Sequence, residues 1–130
     1  MNLENPQQSC QEWQRILKLQ DWDVLVAVPS GEAMDEAEGQ VTFDLGKKIA
    51  DIKLVTPEGY PFDAMRPYQM EETLVHELLH LHFAPFDAKT GTPKGVAQEQ
   101  AINAIARALV NLKNANLSTQ GDAPNPSPTS

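Results

Sequence analysis

The sequence predicts an α+β domain, and three observations carry that expectation. Residues 67–84 and 96–113 each hold apolar side chains at a helical period. Residues 22–28, 40–45 and 49–55 are short and either rich in β-branched residues or alternating in polarity, as strands are. Residues 56–67, with three prolines and one glycine, divide these strands from the helices that follow.

The elements read in order as follows. A first helix is expected over residues 9–20, because Ser9-Cys10-Gln11-Glu12 has the capping-box pattern and Trp13, Ile16 and Leu17 form an apolar stripe. Pro29-Ser30-Gly31 closes the first strand, and the acidic residues 32–39 read as loop. Val41, Phe43 and Leu45 alternate with polar neighbours and predict a half-buried second strand. Ile52 and Leu54 share one face of the third. Pro67 suits the first turn of the helix over 67–84, and Pro85 ends it. Met70, Leu74, Leu78 and Leu81 form its main stripe, which Val75 and Leu79 widen, so this helix should be substantially buried. Residues 87–95 are loop. The last helix, over 96–113, has Ile102, Ile105, Leu109 and Leu112 as its expected core stripe. Residues 114–130 are rich in Asn, Ser, Thr and Pro and are expected to be a disordered tail, which leaves 1–113 as the domain.

At 130 residues the chain fits one domain with a modest core, and 41% hydrophobic residues suffice for a folded globule. Eighteen acidic residues against ten basic ones give a net charge of -8. That balance disfavours nucleic acid as the main partner, because phosphates need cationic contacts. The lone cysteine, Cys10, excludes an internal disulfide and fits a reducing compartment. The first residues lack the pattern of a secretory signal, and no apolar run approaches a membrane span. A cytoplasmic protein without membrane contact is expected.

The residues that carry chemistry lie in the apolar helix. His76-Glu77-Leu78-Leu79-His80 matches H-E-x-x-H, a pattern that arises by chance in a chain this short with a probability on the order of 1%. Residues four apart lie one above the other on a helix, so two imidazoles at that spacing reach one metal ion. Glu77 sits beside the pair, where it can act on a water molecule as a base. A catalytic zinc takes three protein ligands and keeps a fourth position open. Glu99, His82 and Asp87 are the candidates for the third. Glu99 lies about 60° round its helix from Ile102 and about 20° from Ala106, at the margin of the buried face. His82 falls about 160° round the helix from His80, and Asp87 is reachable only if its loop folds back.

On these residues the chain resembles the gluzincin metallopeptidases, whose signature is H-E-x-x-H followed by a Glu on a later helix. The order of helix, three strands, motif helix and Glu helix looks like the small single-domain forms of bacteria and phages. The run Gln98-Glu99-Gln100-Ala101-Ile102-Asn103-Ala104-Ile105-Ala106 is similar to the ligand helix of ImmA/IrrE-type domains. The resemblance covers about residues 9–113. It implies a minimal zincin-like fold, with His76, His80 and Glu99 ligating Zn2+ and Glu77 as general base. It also implies that a strand before the motif helix pairs with an extended peptide or protein substrate. The candidate runs from Ile49 to Val55. Metzincins extend the motif with Gly and a third His, where this chain has Phe83 and Phe86.

The leading expectation is a zinc-dependent peptidase, with Tyr60, Arg66, Tyr68 and His82 as candidate oxyanion donors. The alternative is a zinc-stabilised protein-binding module without hydrolytic activity. Glu77 argues against it, since a purely structural site has no use for a carboxylate there. A third reading is a metal-free scaffold with a degenerate site.

Overall fold

The structure, a computed structural model, describes residues 1, 4–28, 38–56, 69–86 and 88–122, with side chains described as far as residue 116. The chain runs α1 (Pro6–Leu17), β1 (Asp23–Ala27), β2 (Gly39–Asp44), β3 (Ile49–Leu54), α2 (Met70–Phe83), a 3-10 turn (Ala84–Phe86) and α3 (Pro93–Asp122). Helices and one small mixed sheet thus make an α+β fold, as the sequence predicts.

α1 starts three residues before the position that the capping-box pattern implies. Asn5 is the cap: its side chain accepts the Gln8 amide at 3.1 Å, and Pro6 takes the first helical position, where a missing N–H costs nothing. Ser9 is buried inside the helix. Lys18 ends it in the left-handed conformation, at φ 62°. The buried Gln14 Nε2 then donates to the carbonyls of Leu19 and Trp22, which satisfies the turn that leads into β1.

β3 is the central strand, parallel to β1 and antiparallel to β2. Ala50, Ile52 and Leu54 point into the core, beside Val24 of β1. Since β3 pairs on both sides, the stretch expected to bind a substrate strand, Ile49 to Val55, has no free edge through Leu54. The outer edge of β1 is also occupied. Gln7 Nε2 donates to the Val24 carbonyl at 2.8 Å, and its Oε1 accepts the Val26 amide at 2.9 Å, so one side chain stands in for a neighbouring strand. Among the described residues, β2 alone keeps an edge without a partner.

α2 packs on all three remaining layers: the sheet, α1 and α3. Met70, Leu74, Val75, Leu78, Leu79 and Leu81 are buried, as the sequence predicts. Pro67 lies outside the described residues. α3 begins at Pro93 rather than at 96, because Thr92 caps it: Thr92 Oγ1 accepts the Gly95 amide at 3.0 Å. Gly95 is required there, since a Cβ would stand 2.0 Å from the Lys89 carbonyl oxygen.

Two expected stripes are corrected. On α3 the buried residues are Ile102, Ala106 and Val110, spaced by four, while Ile105 and Leu112 are exposed and Leu109 is half-buried. The small Ala106 allows the close approach to α2. Of the alternating residues expected to be half-buried, only Val41 is so; Phe43 of β2 and Leu45 just past its end are each about 40% exposed. α3 also continues to Asp122, into the segment expected to be disordered. Once a helix is nucleated by packing, each added residue gains a backbone hydrogen bond, and this offsets poor propensity. Residues 123–130 lie outside the described residues. Among the described residues no helix is long and apolar enough to cross a membrane.

One polar cluster crosses the α1, α2 and α3 layers. Glu71 Oε2 accepts hydrogen bonds from Trp13 Nε1 and from Lys113 Nζ, each at 2.9 Å, and the Lys113 ammonium lies 5.1 Å from the Trp13 ring centre. Burial alone would raise the Glu71 pKa, but these donors overcome it and hold the carboxyl below its usual value. The group therefore contributes stability above the usual carboxylate pKa, and that contribution is lost as pH falls through the lowered one. Glu71→Ala should cost about 3 kcal/mol, because it strands the buried Trp13 Nε1 and the half-buried Lys113 ammonium. Glu72→Ala removes only the more exposed pair with Arg107 and should cost less than about 1 kcal/mol. Urea midpoints of the two variants at pH 7 check the order.

Candidate metal centre

α2 is buried on every side but one. Glu72, His76, His80 and Phe83 form a half-exposed strip along it, and His82 is its sole exposed residue. The strip follows from the helical period, since steps of four and three residues return to one face. His76 and His80 therefore stack, with ring centres 5.0 Å apart and Nε2 atoms 3.3 Å apart. Glu99 arrives from the second turn of α3. Its Oε2 lies 3.2 Å from His76 Nε2 and its Oε1 2.8 Å from His80 Nε2. Ile102 and Ala106, buried against α2, hold that turn of α3 in place.

These three donors fit a metal ion of zinc type. Bonds of about 2.0–2.1 Å at tetrahedral angles place neighbouring ligand atoms about 3.3 Å apart. Two imidazole nitrogens and one carboxylate also form an N/O donor set that suits zinc. Among the described residues no other His, Cys, Asp or Glu joins the cluster. Burial lowers the His80 pKa. Glu99 pulls the other way, and His76 adds to the lowering. The ring is thus biased toward the neutral form that a metal requires.

Glu77 lies beside this set, 6% exposed, and its carboxylate has no hydrogen bond among the described residues. Burial pushes its pKa up to about 7, and the Glu99 charge adds to the shift. A carboxyl poised near neutrality can accept and return protons at working pH.

Two cavities flank the cluster. One, of 580 Å³, is lined by Glu38, Glu72, His76, Glu77 and Arg107 among others. The other, of 490 Å³, is lined by Phe43, His80, Phe83, Val96 and Glu99 among others. β2 borders both, with Gly39 in the first wall and Phe43 in the second. A side chain at Gly39 would meet Thr73 Cγ2 at 2.7 Å, so glycine permits β2 to lie this close to α2.

Of the predicted site residues, His76, His80, Glu99 and Glu77 come together. His82 turns the other way, with its Nε2 donating to the Leu17 carbonyl at the end of α1 at 2.6 Å, so it is neither the third ligand nor an oxyanion donor in this arrangement. Tyr60, Arg66, Tyr68 and Asp87 lie outside the described residues. Cys10 is buried, with its thiol pushed up to about 12 by burial, and takes no part. Asn103 lines both cavities and was not singled out from the sequence. Its signal was present, since it stands one helical turn after Glu99.

Comparison with protein-family models, with curated proteins and with solved structures returns no match. The functional reading therefore rests on the geometry.

The raised Glu77 pKa sets the sign of a pH effect in the metal-free protein. The folded state holds this proton more tightly than the unfolded one, so stability is full below the usual carboxylate value of 4.5 and is lost as pH rises through about 7. Glu77→Gln removes that loss. The variant's stability relative to wild type should be better at pH 8 than at pH 5 by about 2 kcal/mol, from 1.36 kcal/mol per pKa unit. Denaturant titration in chelator at the two pH values measures it.

Proposed function

We propose that the protein is a zinc-dependent metallopeptidase of the gluzincin type, on a minimal zincin-like fold. The observation that carries this reading is the convergence of His76 Nε2, His80 Nε2 and the Glu99 carboxylate, 2.8–3.3 Å from one another, beside the buried Glu77. A zinc ion held by these three residues would supply Lewis acidity, lowering the pKa of water and polarising a peptide carbonyl.

The chain's own residues account for the rest of the reaction. Glu77 takes a proton from the attacking water on its carboxylate and later returns it to the leaving amine. Its burial keeps bulk water from competing for that proton. A purely structural site gains nothing from a buried carboxylate that has no hydrogen bond among the described residues, since such burial costs stability.

Substrate pairing moves from β3 to β2 in this reading. Among the described residues β2 has no strand partner on its outer edge, and it passes both cavities, so an extended peptide added there would lie across the cluster.

Glu99→Ala should weaken zinc binding by at least about tenfold, the scale of losing a ligand or its close support. His82→Ala should leave zinc binding unchanged, because that ring serves the end of α1. Competition against a chromogenic chelator measures both. The reverse order would mean that the metal sits elsewhere.

The activity itself is tested by Glu77→Gln in a cleavage assay on mixed protein substrates, beside wild type and chelated wild type. Hydrolysis should fall by about 10² to 10⁴, the range of general-base catalysis. Zinc content should stay the same, since Glu77 is not among the three convergent ligands. Equal cleavage by wild type and variant would reject Glu77 as the base.

A further inference from the structure

We infer that the site selects peptides by two side chains on opposite sides of the cleaved bond: a large apolar one in the Phe43, Phe83 and Val96 cavity, and a basic one in the Glu38, Glu72 and Glu77 cavity. The inference rests on the peptidase reading and adds the substrate class to it.

The two cavities differ in chemistry, and the difference is local. The 490 Å³ cavity begins at His80 and Glu99 and is walled by Phe43, Phe83 and Val96. Phe43 is 41% exposed and Val96 49%, and Phe86 stands 74% exposed with its ring centre 6.2 Å from that of Phe83. Large apolar side chains left open to water around one concavity mark a place where apolar surface is buried on binding. An aromatic or long aliphatic side chain is the occupant that gains most there.

The 580 Å³ cavity begins at His76 and Glu77 and has three carboxylates in its wall against one guanidinium. Arg107 is engaged with Glu72, Nε to Oε1 at 3.3 Å, and Thr73 Oγ1 donates to Glu38 Oε2 at 3.2 Å. Glu77 is more than nine-tenths buried, faces this space, and has no hydrogen bond among the described residues. A lysine or arginine side chain entering here brings positive charge to a wall in which carboxylates outnumber guanidinium groups three to one. The overall charge of -8 draws basic peptides toward the protein as well.

The distances suit one extended chain. Gly39 and Phe43, at the two cavities, are four residues apart on β2, which is about 13 Å at 3.3 Å per residue. His76 and His80 are one helical turn apart between them, about 5.4 Å. A peptide paired with β2 therefore passes one cavity, the three ligand atoms and the other cavity within about four residues.

The experiment profiles cleavage sites on a synthetic peptide mixture by mass spectrometry, with zinc-loaded wild type, Glu72→Gln, Glu72→Lys and Phe43→Ala. Neither position belongs to the ligand set or the base. Wild-type cuts should be enriched at least about fivefold for Phe, Leu or Met within two residues on one side, and for Lys or Arg on the other. Glu72→Gln should weaken the basic preference and Glu72→Lys abolish it, with the apolar one intact. Phe43→Ala should do the converse. Enrichment of Asp or Glu at the polar side would overturn the inference and make Arg107 the reader, as would cuts without preference.

A binding arm separates this inference from the peptidase reading. Fluorescein-labelled peptides with a Phe-Ala-Lys core or a Ser-Ala-Glu core are titrated into zinc-loaded Glu77→Gln. At least about tenfold tighter binding of the first core supports the inference even if no variant hydrolyses anything. Equal binding of the two rejects it, whatever the cleavage assay shows.

Discussion

The burial of α2 is the constraint on which everything else in this molecule depends. It packs on α1, the sheet and α3, and its nine buried residues leave one strip and one exposed histidine. Because the helical period is fixed, the residues that escape burial recur at steps of four and three, and they are Glu72, His76, His80 and Phe83. Clamping the helix from three sides thus orients both imidazoles without any contact dedicated to that purpose. The same clamp brings α3 alongside, since Ile102 and Ala106 pack against α2 and carry Glu99 to within 2.8 Å of His80 Nε2. Core packing and site geometry are therefore one arrangement, and rigid elements hold the donors where loops would not.

The sheet serves the site through what it leaves unpaired. Gln7 blocks the outer edge of β1 and β2 covers β3, so among the described residues the edge without a strand partner is that of β2. Gly39 lets that strand press against Thr73 of α2, and this sets the edge beside the ligand cluster rather than above bulk solvent. An edge strand is normally a liability. Here the one next to the proposed chemistry is open, while the one away from it is plugged by a glutamine side chain.

The central helix was legible because its signal is redundant. Met70, Leu74, Leu78 and Leu81 mark the core, and three titratable groups on the remaining face have no packing role. The convergence of Glu99 with the two histidines was legible for the same reason, since Glu99 stands at the margin of a periodic stripe. What sequence reasoning missed is tertiary. Ile105 and Leu112 look like core by size, yet α3 approaches α2 through Ala106, and a small residue carries no hydropathy signal. Ser9 looks like a cap, but Asn5 followed by Pro6 competes for the same role and wins. Strand order leaves no trace in a single strand's pattern, so β3 looked available until its two partners were in place.

Two carboxylates on α2 meet different environments on one helix. Glu71 is 8% exposed and Glu77 6%, so burial penalises both charges to a similar degree. Six residues put them about 120° apart round the helix. Glu71 faces Trp13 and Lys113, receives a hydrogen bond from each, and is held below its usual pKa. Glu77 faces the cluster, has no hydrogen bond among the described residues, and is pushed up to about 7 by burial, with the Glu99 charge adding to the shift. Partners, not depth, decide the outcome, and the split fits the proposed role of Glu77. A carboxylate locked by donors stays charged and ties three helices together. One left without them is destabilising, and it persists where a cation can compensate for it. His76, His80 and Glu99 converge beside that group on a site fit to hold such a cation.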